Sequence, residues 1–244
     1  EDDPSGELMR TFTNTVLGLE YKEPGAEIEL DSLRTRAEPY KLRTVPMGGL
    51  MLTAGVDVQK NRLEVKVKAY GRGEESWLVA YEQIFGDPMQ DDVWESLDEF
   101  LQLPFPHESG QSMRILATAV DSGFLTQRVY AFCGARTHRQ VFPIKGVDST
   151  AATVRAVLGK PKPQDLDWQG KTLKGGIDLW PIGVDTAKTM IHNRLQVRLP
   201  GPQYMHFPLG LPDAYYKGLT AERQVRKFVR GYLRMVWEKD SGAA

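Results

Sequence analysis

The chain has 244 residues and a single cysteine, Cys133. One cysteine excludes an intramolecular disulfide and suits a reducing compartment, where Cys133 serves as a small buried hydrophobe. No apolar run approaches the ~20 residues that span a bilayer, and no signal-peptide pattern opens the chain, so no membrane is expected among its partners. A complete phosphate-binding loop is also missing. "GKT" at 170–172 invites that reading, but the loop needs a glycine where Asp165 stands, and no apolar strand feeds it. Net charge is also slight, at -1. Uniform basicity of the kind that marks many nucleic-acid binders is therefore absent.

The charge is unevenly spread. Residues 1–110 hold 22 acids against 11 bases, whereas residues 111–244 hold 10 acids against 20 bases. This split allows a basic face on a nearly neutral protein, and equally allows ordinary solvated surfaces that cancel in the fold. With 41% hydrophobic and 26% charged residues, the chain can bury one good core.

Residues 1–48 read as a lead-in segment: acidic at first, then rich in proline and charge, with a possible short helix around Leu30–Arg36. From residue 49 the pattern sharpens into one domain. Strands are expected at 50–58, 62–70 and 75–84, joined by the short polar turns "VQKN" and "GRGE" as an antiparallel meander. The helix "QDDVWESLDEFLQ" follows, with Val93, Trp94, Leu97, Phe100 and Leu101 on one face. Next come a buried strand at 113–123, a helix "LTQRVYAFCGA" and a strand at 139–146. Residues 147–176 read as a small helical piece and a mobile basic loop. A strand at 177–184 leads into a helix opened by Asp185, and the tail reads as a hairpin after a short helix. The predicted fold class is α/β: a ribonuclease H-like mixed sheet flanked by helices in three layers.

Two acids stand out. Asp57 interrupts the apolar run "LMLTAGVDV", an acid carried inward by a buried strand, and Asp121 closes "ILATAVDSG". In a ribonuclease H-like sheet these strands are adjacent and parallel, so both acids emerge side by side. Two close carboxylates repel, and a divalent cation removes the conflict. Two such ions can stabilise the attacking and leaving oxygens of a phosphoryl displacement. Taken singly, each acid reads as well as a turn cap. Lys145, in "FPIKG", ends the next strand and is a candidate phosphate contact. Asp185 and Asp213 are weaker candidates for a third acid. His206, in "YMHFPLGLPD", is placed on a loop as a satisfied hydrogen-bond partner. A DNA path is expected over Arg136, Arg139, Lys145, Lys160, Lys162, Lys171 and Lys174, with the first three around the acid pair.

"TFTNTVLGLEY", "AEPYKLRTVPMGGLMLTAGVDVQKNRLEV", "YGRGEESWLVAYEQIFGDP", "VDSGF", "FPIKG", "LWPIGVDTAK" and "HFP" resemble, in order, the C-terminal nuclease region of lambda-type phage terminase large subunits. The resemblance implies a metal-dependent endonuclease that cuts concatemeric viral DNA for packaging, with Mg2+ or Mn2+, two ions together, as cofactor. It puts metal ligands at Asp57 and Asp121 and a basic residue at Lys145. It also implies an ATPase domain in the same full-length chain, the small terminase subunit and portal as further partners, and the cytoplasm of an infected bacterial host as location. The family's third acidic motif, an Asn-Glu-Ala-Leu-Asp stretch after "VWEKD", has no counterpart in "EKDSGAA". That departure keeps open a non-catalytic DNA-docking module. A two-lobed actin-like ATPase is disfavoured by length and by the lack of glycine-rich phosphate loops.

Overall fold

The computed structural model describes residues 30–149, 154–229 and 232–239. Expectations for residues 1–29 lie outside the described residues. The chain divides into two compact units, Arg36–Gly210 and a second formed by Glu1–Thr35 with Leu211–Ala244.

The larger unit is built on one nine-stranded sheet. Its strands, in chain order, are β1 (Ala37–Glu38), β2 (Met51–Val58), β3 (Arg62–Tyr70), β4 (Ser76–Phe85), β7 (Ile115–Asp121), β8 (Val141–Val147), β9 (Lys162–Trp168), β10 (Lys171–Gly183) and β11 (Met205–Pro208). A two-residue pair, β5 (Phe105–Pro106) with β6 (Ser112–Met113), stands apart. The sheet order is β1-β11-β4-β3-β2-β7-β8-β10-β9. At its centre β4, β3 and β2 are antiparallel, and β2, β7 and β8 are parallel. With helices on both faces, this is the three-layer ribonuclease H-like arrangement.

Alternation on β2 and β3 explains the core. Leu52, Ala54, Val56 and Val58 point to one face with Leu63, Val65, Val67 and Ala69, and all eight are buried. On that face lie α2 (Asp92–Leu101), through Val93, Trp94, Leu97, Phe100 and Leu101, and α3 (Thr126–Gly134), through Val129, Phe132 and Cys133. Each large side chain buried this way contributes roughly 1.5–3 kcal/mol before its ordering cost. The other face carries α4 (Val184–Gln196), whose Arg194 acts electrostatically on Lys68 and Tyr70 of that face.

The segment 147–176 departs from the expected loop. Residues 162–168 and 171–183 form an antiparallel hairpin that extends the sheet beyond β8. Its turn is Gln169–Gly170, both with positive φ (49° and 74°), the conformation of a tight two-residue hairpin turn. "GKT" is therefore the start of a strand. The lead-in segment also differs. From Arg36 onward it belongs to the sheet unit, where β1 pairs with β11 and Val45 is fully buried.

The smaller unit holds α1 (Leu30–Arg34), α5 (Asp213–Thr220) and the expected hairpin of β12 (Glu222–Val229) with β13 (Tyr232–Lys239).

Candidate metal and nucleic-acid site

The parallel pairing of β2 with β7 sets Gly55 opposite Ala119 and Val56 opposite Val120. The next residue on each strand is Asp57 and Asp121. They thus leave the sheet at one edge, at the same level and on the same face, one inter-strand spacing (about 4.8 Å) apart. The inward placement expected of Asp57 is wrong. Val56 and Val58 face the core, and Asp57 is exposed on the opposite face. An acid here breaks no apolar surface, since the alternation has simply reached its polar side.

Neither carboxylate meets a cation among the described residues. Asp57 accepts a hydrogen bond from the Gln59 amide at 3.0 Å, and Asp121 accepts one from the Gly123 backbone N–H at 3.0 Å. The end of β7 is fixed by the buried Ser122, whose N–H and hydroxyl both donate to the Ile144 carbonyl at 2.9 and 2.8 Å. Sequence reasoning missed Glu64, which pairs directly with Asp57 on β3 and extends the acid row. Its charge is answered: Arg62 reaches it at 2.8 Å, and Gln83 donates to it at 3.2 Å. A glutamate next to an arginine on a strand gave no sign of this in one dimension. Among the described residues, no group of three or more His, Cys, Asp or Glu gathers in a way that could hold a metal ion.

The remaining expected residues scatter. Ile144 is the β8 neighbour of Asp121, so alternation turns Lys145 to the opposite face. Asp185 lies in the first turn of α4 and accepts from the Ser149 N–H at 3.2 Å. Asp213 opens α5 in the smaller unit, paired with Arg34 at 2.6 Å. His206 lies on β11 and not on a loop. It is buried, stacked on Trp77, with Nδ1 at 2.6 Å from Glu38 and Nε2 at 2.8 Å from Glu75.

The expected ring of cations around the acid pair is not observed. Arg136 and Arg139 precede β8 and lie at the other end of the parallel strands. Both bind Asp98 of α2, Arg136 at 2.7 Å, and Arg136 also covers the Phe132 ring. Partial burial opposes the charge of Asp98, but these two guanidiniums outweigh it and hold the carboxyl below its usual range. Lys171 starts β10 and, with the bulge between Leu173 and Ile177, lies about seven strand steps from Trp180, which is level with Ile144, so it is about 23 Å along the sheet from the acid row. Lys174 pairs with Asp165 across the hairpin at 2.6 Å. Besides Lys145 on the opposite face, Lys160 and Lys162 lie toward the edge of the acid pair, on the outermost side of the sheet: Lys162 pairs with Leu179, and Gly159 donates to the Pro181 carbonyl.

Comparison with known proteins decides what kind of sheet this is. The whole chain, residues 1–244, matches the family model described as "Terminase large subunit gpA, endonuclease domain". The chain belongs to that family. It is 32% identical over 240 residues to the large terminase subunit of Escherichia phage lambda, covering 94% of this chain and 35% of that protein. It is 27% identical over 247 residues to the large terminase subunit of Enterobacteria phage P21, covering 97% of this chain and 36% of that one. The chain thus spans about a third of the length of these relatives. No solved structure matches it. No helix among the described residues is long and apolar enough to cross a membrane.

Proposed function

We propose that this terminase endonuclease domain cleaves double-stranded DNA by divalent-metal-dependent phosphodiester hydrolysis at Asp57 and Asp121. One observation carries the reading: two carboxylates at adjacent parallel strand ends, on one face, with no cation paired to them among the described residues. The donor set fits hard ions, since it offers carboxylate oxygens and leaves the remaining positions to water and phosphate oxygens. Asp57 and Asp121 would hold Mg2+ or Mn2+, two ions in the full site. Such ions supply charge neutralisation and an activated water. The chain's own contribution is rigid placement. The Asp121 carboxylate is held by Gly123, and Ser122 locks the strand end to β8, so this acid stays fixed as substrate approaches.

We further propose that the domain acts within a longer packaging chain bearing an ATPase, with the small terminase subunit and the portal as partners, in the cytoplasm of an infected bacterium. Lys160 and Lys162 are the outlying cations of the expected path that lie toward the site's edge. Among the described residues no group of three His, Cys, Asp or Glu gathers to hold a metal, and Glu64 beside Asp57 is taken up by Arg62, which favours a second reading, a docking module that holds DNA without cutting it.

Nicking of supercoiled plasmid with Mn2+ separates the two. Asp57→Asn abolishes nicking and leaves the melting temperature unchanged or raised, because removing one of two neighbouring carboxylates relieves repulsion. A turn cap would tolerate Asn, which caps as well as Asp. Undiminished nicking by Asp57→Asn removes Asp57 from the metal site.

A further inference from the structure

The face that carries Asp57 and Asp121 continues along the strands into a strip of small residues flanked by lysines. Gly55 pairs with Lys66 on one side and with Ala119 on the other. Thr53 likewise pairs with Lys68 and with Ala117. Two rungs of the sheet therefore read lysine, small residue, alanine; the Gly55 rung stands directly beside the rung that carries the acids, and the Thr53 rung lies one step further. The strip is open at Gly55, which is exposed, and a Cβ built there meets nothing within 4 Å. Each rung on this face is about 7 Å from the next, two residues along the strand.

The charges are arranged to match. β3 brings Arg62, Lys66 and Lys68 to this face. Arg62 answers Glu64, and Arg194, reaching over from α4, pairs with Glu74. Lys66 is exposed, with its ammonium 5.8 Å from the Tyr81 ring centroid, and Lys68 is half-buried, 6.0 Å from the Tyr70 centroid. Burial first, then Arg194 and Lys66, push the Lys68 ammonium down to about 8. Cations held together in this way are stabilised when an anion comes between them.

Taking DNA as the substrate of this face, as proposed above, we propose that Lys66 and Lys68 are positioning residues that hold a backbone phosphate next to the cut. One strand then lies over the floor formed by Gly55 and Ala119. An extended, regularly charged strand suits this floor, because a backbone can approach a sheet closely only where side chains are small. Contacts of this kind fix the register of the substrate and carry no base information.

The test isolates the lysines from the metal. In an Asp57→Asn/Asp121→Asn background without divalent ions, binding of a short DNA duplex is followed by fluorescence anisotropy across a salt series. Adding Lys66→Gln and Lys68→Gln makes the slope of log K against log salt shallower by about 2, since each phosphate contact contributes roughly 0.9. Binding weakens about tenfold at moderate salt. Lys66→Gln alone, at an exposed position that does not burden the fold, lowers the slope by about 0.9. Arginine at both positions restores it. An unchanged slope overturns the proposal, as does an equal per-residue fall on neutralising the exposed Lys41. Because both aspartates are already amides and no metal is present, this result stands apart from plasmid nicking, which tests the metal reading.

Discussion

Asp98 shows how a residue's neighbours decide its role. The sequence marks Arg136 and Arg139 as free cations on a basic half, but both reach Asp98 on the exposed side of α2 and tie that helix to the entrance of β8. Their combined pull holds the Asp98 carboxyl below its ordinary value, so its folded-state pKa is depressed relative to the unfolded chain. The stability this supplies is present above the unfolded carboxylate pKa and is lost as pH falls through the folded one. Asp98→Asn therefore lowers stability at neutral pH by about 1 kcal/mol after allowance for solvent screening. Denaturant unfolding of the two proteins shows the difference shrinking as pH falls below about 4. A constant difference would place the role of Asp98 in packing. The strand-end positions of Asp57 and Asp121 were legible because strand ends can be counted along a chain, although the face on which Asp57 lies was not. Glu64 and Asp98 were not, because their meaning comes from partners on other elements. The same holds for His206, whose companions Glu38 and Glu75 are more than a hundred residues away in sequence.

At the scale of elements, the meander of β2, β3 and β4 follows directly from period-two alternation and short polar turns, and α2 follows from its apolar stripe. The hairpin of β9 and β10 was harder to see. β9 reads "KPQDLDW", an outer strand with two acids and little apolar alternation, so periodicity carries almost no signal there. What remained was its turn. Gln169 and Gly170 both adopt positive φ, which glycine tolerates and glutamine does not favour. Gly170→Ala is expected to cost roughly 1 kcal/mol, and Gln169→Asn to recover a few tenths, since Asn visits the left-handed region readily. Thermal unfolding checks both. A neutral Gly170→Ala would mean that the turn rearranges. The lysines of this hairpin are better understood from its geometry. Charged residues along an outer strand discourage edge-to-edge pairing, a role that Lys162 on β9 fills whatever else it touches.

At the scale of the sheet unit, the candidate site sits where an open α/β sheet ordinarily presents ligands, just outside the carboxyl ends of its parallel strands. The strand order β4-β3-β2-β7-β8 brings together two segments that the sequence separates by more than sixty residues, one from the acidic half of the chain and one from the basic half. Counting charge by halves pointed to the second half for DNA contacts. The lysines that line the acid pair's own face, Lys66 and Lys68, come from the first. Which residues share a face is set by topology, which composition cannot convey.

If Asp57 and Asp121 form one divalent-metal site, calorimetric titration of Mn2+ into the purified chain reads it out without DNA or cleavage. The wild-type protein is then expected to bind Mn2+, and binding is lost in Asp57→Asn and lost equally in Asp121→Asn, with both variants as thermally stable as the parent without metal. Mn2+ binding that persists undiminished in both variants would contradict it.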